Sequence, residues 1–176
     1  YLDANFGGVD ALFERYFTLL KKHATKPVSH ELCIGHGDLC FSNILYSKTT
    51  GLMRFIDPRG ADDDVNLYMN PYYDLAKLSH SICGNYDFIN YGFYTLEIDL
   101  HLKANLSINF DVHAWARRRF EKHLEEHGYS IYLIRLFEAS LFLSMVPLHI
   151  DSPKKVLAFL VNANNIISEL EKKLKG

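Results

Sequence analysis

The chain has 176 residues, enough for one domain with a sizeable core, and 48% of them are hydrophobic, which excludes a disordered chain. A formal net charge of −2 gives no electrostatic support to a nucleic-acid or anionic-membrane partner, so an anionic ligand has to be held by a metal and local dipoles. The apolar stretch from Leu141 to Pro147 is broken by Ser144 and is far too short to cross a bilayer. With no leader pattern in view, the expectation is a soluble, cytoplasmic protein.

Cys33, Cys40 and Cys83 form no CxxC pair and no even-numbered framework. They are expected to be small buried hydrophobes in a reducing compartment. The chain opens at Tyr1 without a Met, and the expectation is a fragment or excised domain of a longer protein.

Tyr1 to Gly8 reads as a loop broken by Gly7-Gly8. From Val9 to Ala24 the apolar residues Leu12, Phe13, Tyr16, Phe17, Leu19 and Leu20 recur at helical spacing. Lys21 and Lys22 suit the negative end of that helix, and Pro27 ends it. Short strands follow at Glu31 to Gly35, Asn43 to Ser47 and Leu52 to Ile56, the last two joined through Thr49-Thr50-Gly51.

Asp57 to Pro71 reads as irregular and acidic. Tyr72 to Cys83 is a helix stopped by Gly84. Leu96 to Leu102 alternates as a half-buried strand, and Leu106 to Phe110 is its hairpin partner. The rest is helical. Asp111 caps a helix to His127, Ser130 begins an apolar one to about Val146, and Ser152-Pro153 opens a last one to Leu174. The apolar run around Phe137, Leu141, Phe142 and Met145 reads as a buried helix rather than an interface. No repeat or linker divides residues 1–176, so a single domain of α+β class, mostly α with short β-hairpins, is expected.

One stretch carries chemistry. In Ile34-Gly35-His36-Gly37-Asp38-Leu39-Cys40-Phe41-Ser42-Asn43-Ile44-Leu45 an Asp is followed five residues later by an Asn. A second Asp stands in Phe55-Ile56-Asp57, after a short hairpin. Phosphoryl transfer to an alcohol needs the hydroxyl placed in line and a destination for its proton, and Asp38 on a rigid loop supplies both. Asn43 offers a neutral amide oxygen to Mg²⁺, and Asp57 an anionic one. A plain hairpin with turn-forming Gly, Asp and Asn explains each position singly. The joint order between apolar runs is what points to a kinase.

His36-Gly37-Asp38-Leu39-Cys40-Phe41-Ser42-Asn43 resembles the catalytic-loop signature of the aminoglycoside phosphotransferase and choline kinase superfamily, with Gly where protein kinases carry Arg. Phe55-Ile56-Asp57 resembles its metal-binding segment, and Tyr73-Asp74-Leu75-Ala76 the helix that follows. The resemblance runs from about Leu32 to Ile82 and implies the helical C-terminal lobe of a protein-kinase-like fold.

It implies Asp38 as catalytic base, Asn43 and Asp57 as Mg²⁺ ligands, and Leu45 and Ile56 as the apolar floor under the nucleotide of ATP. His36 would brace the loop, and Asp74 would bond its backbone from behind. The implied acceptors are aminoglycosides, choline, sugars or amino alcohols. The Ile56-Asp57-Pro58-Arg59-Gly60 variant is similar to members linked to surface-polysaccharide synthesis. Arg59 either contacts phosphate or pairs with a nearby aspartate. Asp62-Asp63-Asp64 is either an acceptor pocket or a solvated loop.

No Gly-rich loop after a strand, no strand-borne Lys ahead of Asp38 and no Walker-type GxxxxGK occurs. The N-terminal nucleotide lobe is therefore expected as the missing partner, and the isolated lobe is expected to bind nucleotide weakly without turnover. Two other classes remain open. One is a non-catalytic kinase-like binding module. The other is a zinc hydrolase, because His123-Leu124-Glu125-Glu126-His127 matches H-x-x-E-H, with Glu126 as base and Glu138 or Glu169 as a third ligand.

Overall fold

The computed structural model describes residues 7–23, 31–101, 103–109 and 114–174. The expected breaker Pro27, the cap Asp111 and the ends of the strands at Leu102 and Phe110 lie outside the described residues, as does most of the opening loop. The architecture is α+β, with helices dominant and three separate two-stranded antiparallel sheets.

Among the described residues the core is built from six helices and a hairpin. Helix α1 (Val9–His23) buries Leu12, Tyr16 and Leu19, one face at helical spacing, with Asp10 in its first turn and Lys21, Lys22 and His23 in its last. Helix α2 (Tyr72–Ile82) is followed by a short α3 (Tyr86–Asn90), a helix not expected from sequence. Strands β5 (Tyr94–Ile98) and β6 (Ala104–Ile108) pair in register from Tyr94 opposite Ile108 to Ile98 opposite Ala104. Helix α4 (Ala114–Glu126) precedes α5 (Ile131–Ser144) and α6 (Pro153–Lys173).

Helix α5 buries residues around most of its circumference, because α1, α2 and α6 all pack on it. Phe142 and Phe159 are fully buried and meet with ring centroids 5.8 Å apart. The apolar run is thus core, as its composition suggests. Ser130 caps α5, its Oγ accepting from the Leu133 N–H at 3.3 Å. Ser152 occupies the corresponding place before α6, but its side chain makes no capping bond, so the Pro153 turn opens that helix without one.

A buried polar pin ties three helices. The Glu138 carboxylate receives Arg135 Nη1 at 2.5 and 2.6 Å and the Ser79 hydroxyl from α2. Arg135 also reaches Glu169 on α6 at 3.5 Å. Burial pushes the Glu138 carboxyl up to about 7, against the pull of Arg135.

Two boundary differences have local causes. Gly84 follows α2 as expected, but not through a left-handed turn. A Cβ there would lie 2.5 Å from Glu138 Oε1 and 2.8 Å from the His80 carbonyl, so the position needs close approach. The alternation read through Leu102 continues past the real strand end. Asp99 Oδ1 accepts the His101 and Lys103 N–H groups at 2.8 and 2.9 Å, closing the chain into a turn and leaving Leu100 fully exposed.

The remaining strands are small. β1 (Cys33–Ile34) pairs with β4 (Tyr68–Met69), and β2 (Ile44–Tyr46) with β3 (Met53–Phe55). β4 lies inside the segment expected to be wholly irregular. Two residues are too few to show alternation, and the strand exists because β1 offers it a partner. Of the cysteines only Cys40 is buried. Cys33 is exposed on β1 and Cys83 is intermediate, so the expectation of three buried thiols fails for Cys33.

Candidate functional site

The loop of residues 35–43 leaves β1, passes Asp38 and enters β2 through a short 3₁₀ turn, Phe41–Asn43. Its conformation is set by one face of α2. Asp74, Lys77 and Ser81 stand at i, i+3 and i+7 and so project to the same side. The Asp74 carboxylate accepts the His36 N–H at 2.6 Å and the Gly37 N–H at 2.8 Å. Lys77 Nζ lies 2.8 Å from Asp38 Oδ1. Ser81 Oγ accepts the Phe41 N–H at 3.0 Å.

His36 closes the loop from the other side. Its Nδ1 accepts the Asp38 N–H at 3.3 Å, so Nε2 carries the proton given to the Ile56 carbonyl at 3.0 Å. That bond joins the Asp38 turn to the end of β3, where Asp57 follows. Asp57 takes a left-handed φ of 58°, a conformation that a non-glycine residue holds only when its surroundings fix it. Gly37 is required on two counts. Its φ is 78°, and a Cβ would come within 2.6 Å of Arg59 Cβ.

Asn43 is buried, and its Nδ2 donates to the Asp38 carbonyl at 2.9 Å and to Asp38 Oδ2 at 3.2 Å. Its Oδ1 is the end turned away from Asp38. Asp38 and Asp57 line one cleft of about 380 Å³, together with Gly37, Pro58, Arg59, Tyr73 and Lys77. The structure therefore brings Asp38, Asp57 and Arg59 to one hollow, with Asn43 bonded to Asp38 and with His36 and Asp74 holding the loop.

Leu45 and Ile56 do not line that cleft. Leu45 faces a separate hollow on the β2–β3 hairpin, with Tyr46, Leu52 and Arg54. Ile56 contributes its backbone, donating to the Asn43 carbonyl at 3.0 Å and accepting from His36. Asp62 is exposed and outside the cleft lining, and Asp63 closes a local turn by accepting from the Asn66 N–H at 2.8 Å. Arg59 forms no ion pair within 4.0 Å among the described residues; its backbone N–H donates to the His36 carbonyl at 2.8 Å. Lys77 and Ser81 escaped the sequence reading. The signal was available, since both share the helical face of Asp74.

Behind the loop, His80 is fully buried between the rings of Tyr86, at 4.3 Å, and Phe142, at 4.0 Å. Neither ring nitrogen has a hydrogen-bond partner among the described residues, and burial, with Lys77 and Arg135 nearby, holds its pKa well below the ordinary 6.5.

The zinc arrangement does not assemble. His123 and His127 have ring centroids 4.1 Å apart, but His127 Nδ1 is 2.8 Å from the His123 carbonyl oxygen and bonds to it. Glu138 is committed to Arg135 and Ser79, and Glu169 to Arg117, Arg135 and Lys173. Among the described residues no group of three or more His, Cys, Asp or Glu is placed to hold a metal.

The chain matches no family model, no curated protein and no solved structure. No helix among the described residues is long and apolar enough to cross a membrane.

Proposed function

We propose that this chain is the catalytic lobe of a small-molecule kinase that moves the γ-phosphoryl group of ATP to an acceptor hydroxyl. One observation carries the reading: Asp74 clamps two consecutive amides of the loop while Asp38 and Asp57, nineteen residues apart in sequence, face one cleft. A turn built only to reverse the chain has no need of such a clamp, nor of a left-handed Asp beside it.

Asp38 orients the acceptor. Its carboxylate takes the hydroxyl proton as the acceptor oxygen bonds to the γ-phosphorus and the β-phosphate oxygen departs with ADP. Asn43 Oδ1 and the Asp57 carboxylate are the oxygen donors that would hold Mg²⁺, an ion that keeps few protein ligands and takes the rest from phosphate and water. When bound, that ion neutralises charge on the phosphates. His36 and Asp74 spend no chemistry; they fix the Asp38 turn so that its carboxylate does not have to be ordered during reaction.

The β2–β3 hairpin supports a second body over this face. Leu45, Tyr46, Met53 and Phe55 are all more than half exposed on it, and two strands alone are marginal in water. A nucleotide-gripping lobe covering the hairpin accounts for that surface. ATP consumption by the full-length protein over a panel of hydroxyl acceptors tests the proposal. Acceptor-dependent ADP release, abolished in Asp38→Asn, is the expected result. No Mg²⁺-dependent ATP binding by the intact protein would leave the non-catalytic module as the better description.

A further inference from the structure

We infer that Lys77 is the positioning residue of Asp38: its ammonium fixes which way the Asp38 carboxylate faces in the cleft. The inference rests on the kinase reading for its purpose, but not for its geometry. Asp38 keeps a partly exposed side chain on a fixed backbone. Its backbone is fixed by His36 and Asn43, and its side chain is 41% exposed, so without side-chain contacts it could turn into solvent. Two contacts oppose that rotation, one on each oxygen. Asn43 Nδ2 reaches Oδ2 at 3.2 Å, a long bond from a neutral donor. Lys77 Nζ reaches Oδ1 at 2.8 Å, a short charge-assisted one.

The two donors approach from opposite elements, the 3₁₀ turn and α2, and so define the carboxylate plane. Lys77 is suited to the task because it is not free itself. Its side chain is only 18% exposed, and it rises from a helix whose neighbouring positions, Ala76, Ser79 and His80, are buried. A lysine on a mobile surface loop would lose more rotamer entropy than the pair returns. Here most of that entropy is already spent by packing. Lys77 also lines the cleft with Asp57 and Arg59, so the carboxylate it aligns is held on the wall of the hollow where the acceptor would sit. Without Lys77 the acceptor hydroxyl would meet a carboxylate that spends most of its time misdirected. Nucleotide affinity would change little, and the chemical step would slow.

Two measurements test this, and they fail separately. The first uses the chain itself and needs no activity. Acetylation of each lysine by an amine-reactive reagent is followed by mass spectrometry in wild type and in Asp38→Asn. Release of Lys77 from its partner is expected to raise its labelling rate severalfold, while Lys154 and Lys155 on α6 stay unchanged. Equal Lys77 labelling in both proteins overturns the inference whatever the protein does. The second uses full-length protein with Mg·ATP. Lys77→Met is expected to lower kcat about a hundredfold with KM for Mg·ATP within about twofold, and Lys77→Arg to recover most of the loss. A loss in KM alone, or no recovery by Arg in a variant that melts like wild type, overturns it. Wild-type protein without ATP turnover sinks the kinase reading, and the labelling result then decides the Lys77–Asp38 link alone.

Discussion

Helices α5 and α6 and the loop of residues 35–43 are held by different forces. The helix pair excludes water from Phe142, Phe159, Ile167 and their neighbours, and its strength comes from apolar area spread over many side chains. The loop buries little. It is held by a short set of directed bonds from Asp74, Lys77, Ser81, His36 and Asn43, each specific to one atom. Apolar packing fixes a region without fixing any one side chain to better than its rotamer well. Directed bonds fix a single carboxylate, and each is lost outright when its residue changes. Stability and activity are therefore separable between the two regions.

That separation can be broken or sharpened by mutation. Phe142→Ala has the largest expected effect on folding, about 3–5 kcal/mol by urea denaturation, because the ring is fully buried against His80 and Phe159. A much smaller loss would mean that the core can collapse into the gap. Asp74→Ala is expected to cost about 1–3 kcal/mol, since two loop amides lose their acceptor, but to abolish any ATP turnover that wild type shows. Full turnover in that variant would deny the clamp its role.

The third prediction concerns pH. The folded pKa of His80 lies below the unfolded 6.5, so below pH 6.5 the unfolded chain binds a proton that the native one refuses. Stability from this residue is complete above pH 6.5 and lost as pH falls toward the folded pKa. Glu138, raised to about 7, works in the opposite sense, favouring the native state as pH drops below 7. The difference in melting temperature between wild type and His80→Phe, measured from pH 8 to pH 5, isolates the His80 term. The variant is expected to gain on wild type steadily below pH 6.5, and a constant difference would show that His80 titrates normally. The smallest effect is expected for Leu45→Ser on the exposed hairpin, within about 0.5 kcal/mol in this chain. A larger loss would mean that the hairpin is packed rather than open.

Helices were legible wherever the apolar period ran for three turns or more, as in α1, α5 and α6, because helix spacing is a local property of the chain. Ser130 announced its cap, and the 106–108 strand announced its partner. The short elements were not legible. β4 owes its existence to β1, whose residues lie 34 and 36 positions earlier in the chain and become its neighbours only after folding. Asp99 ended a strand that its neighbours' alternation would have continued, since one side-chain oxygen took two backbone donors. At the site, Asp38, Asn43 and Asp57 were singled out by residue type and order.

Residue order and spacing were enough to show that the chain is helix-rich, that it carries an Asp, Asn and Asp between short apolar runs, and where most of the long helices begin and end. These are matters of local period and local chemistry. Folding alone revealed that Lys77 and Ser81 serve the Asp38 loop, that His127 is bonded to its own helix, and that Leu45 lines a hollow separate from the cleft. Such contacts join residues tens of positions apart or set the direction of a side chain, and neither is written in spacing along the chain.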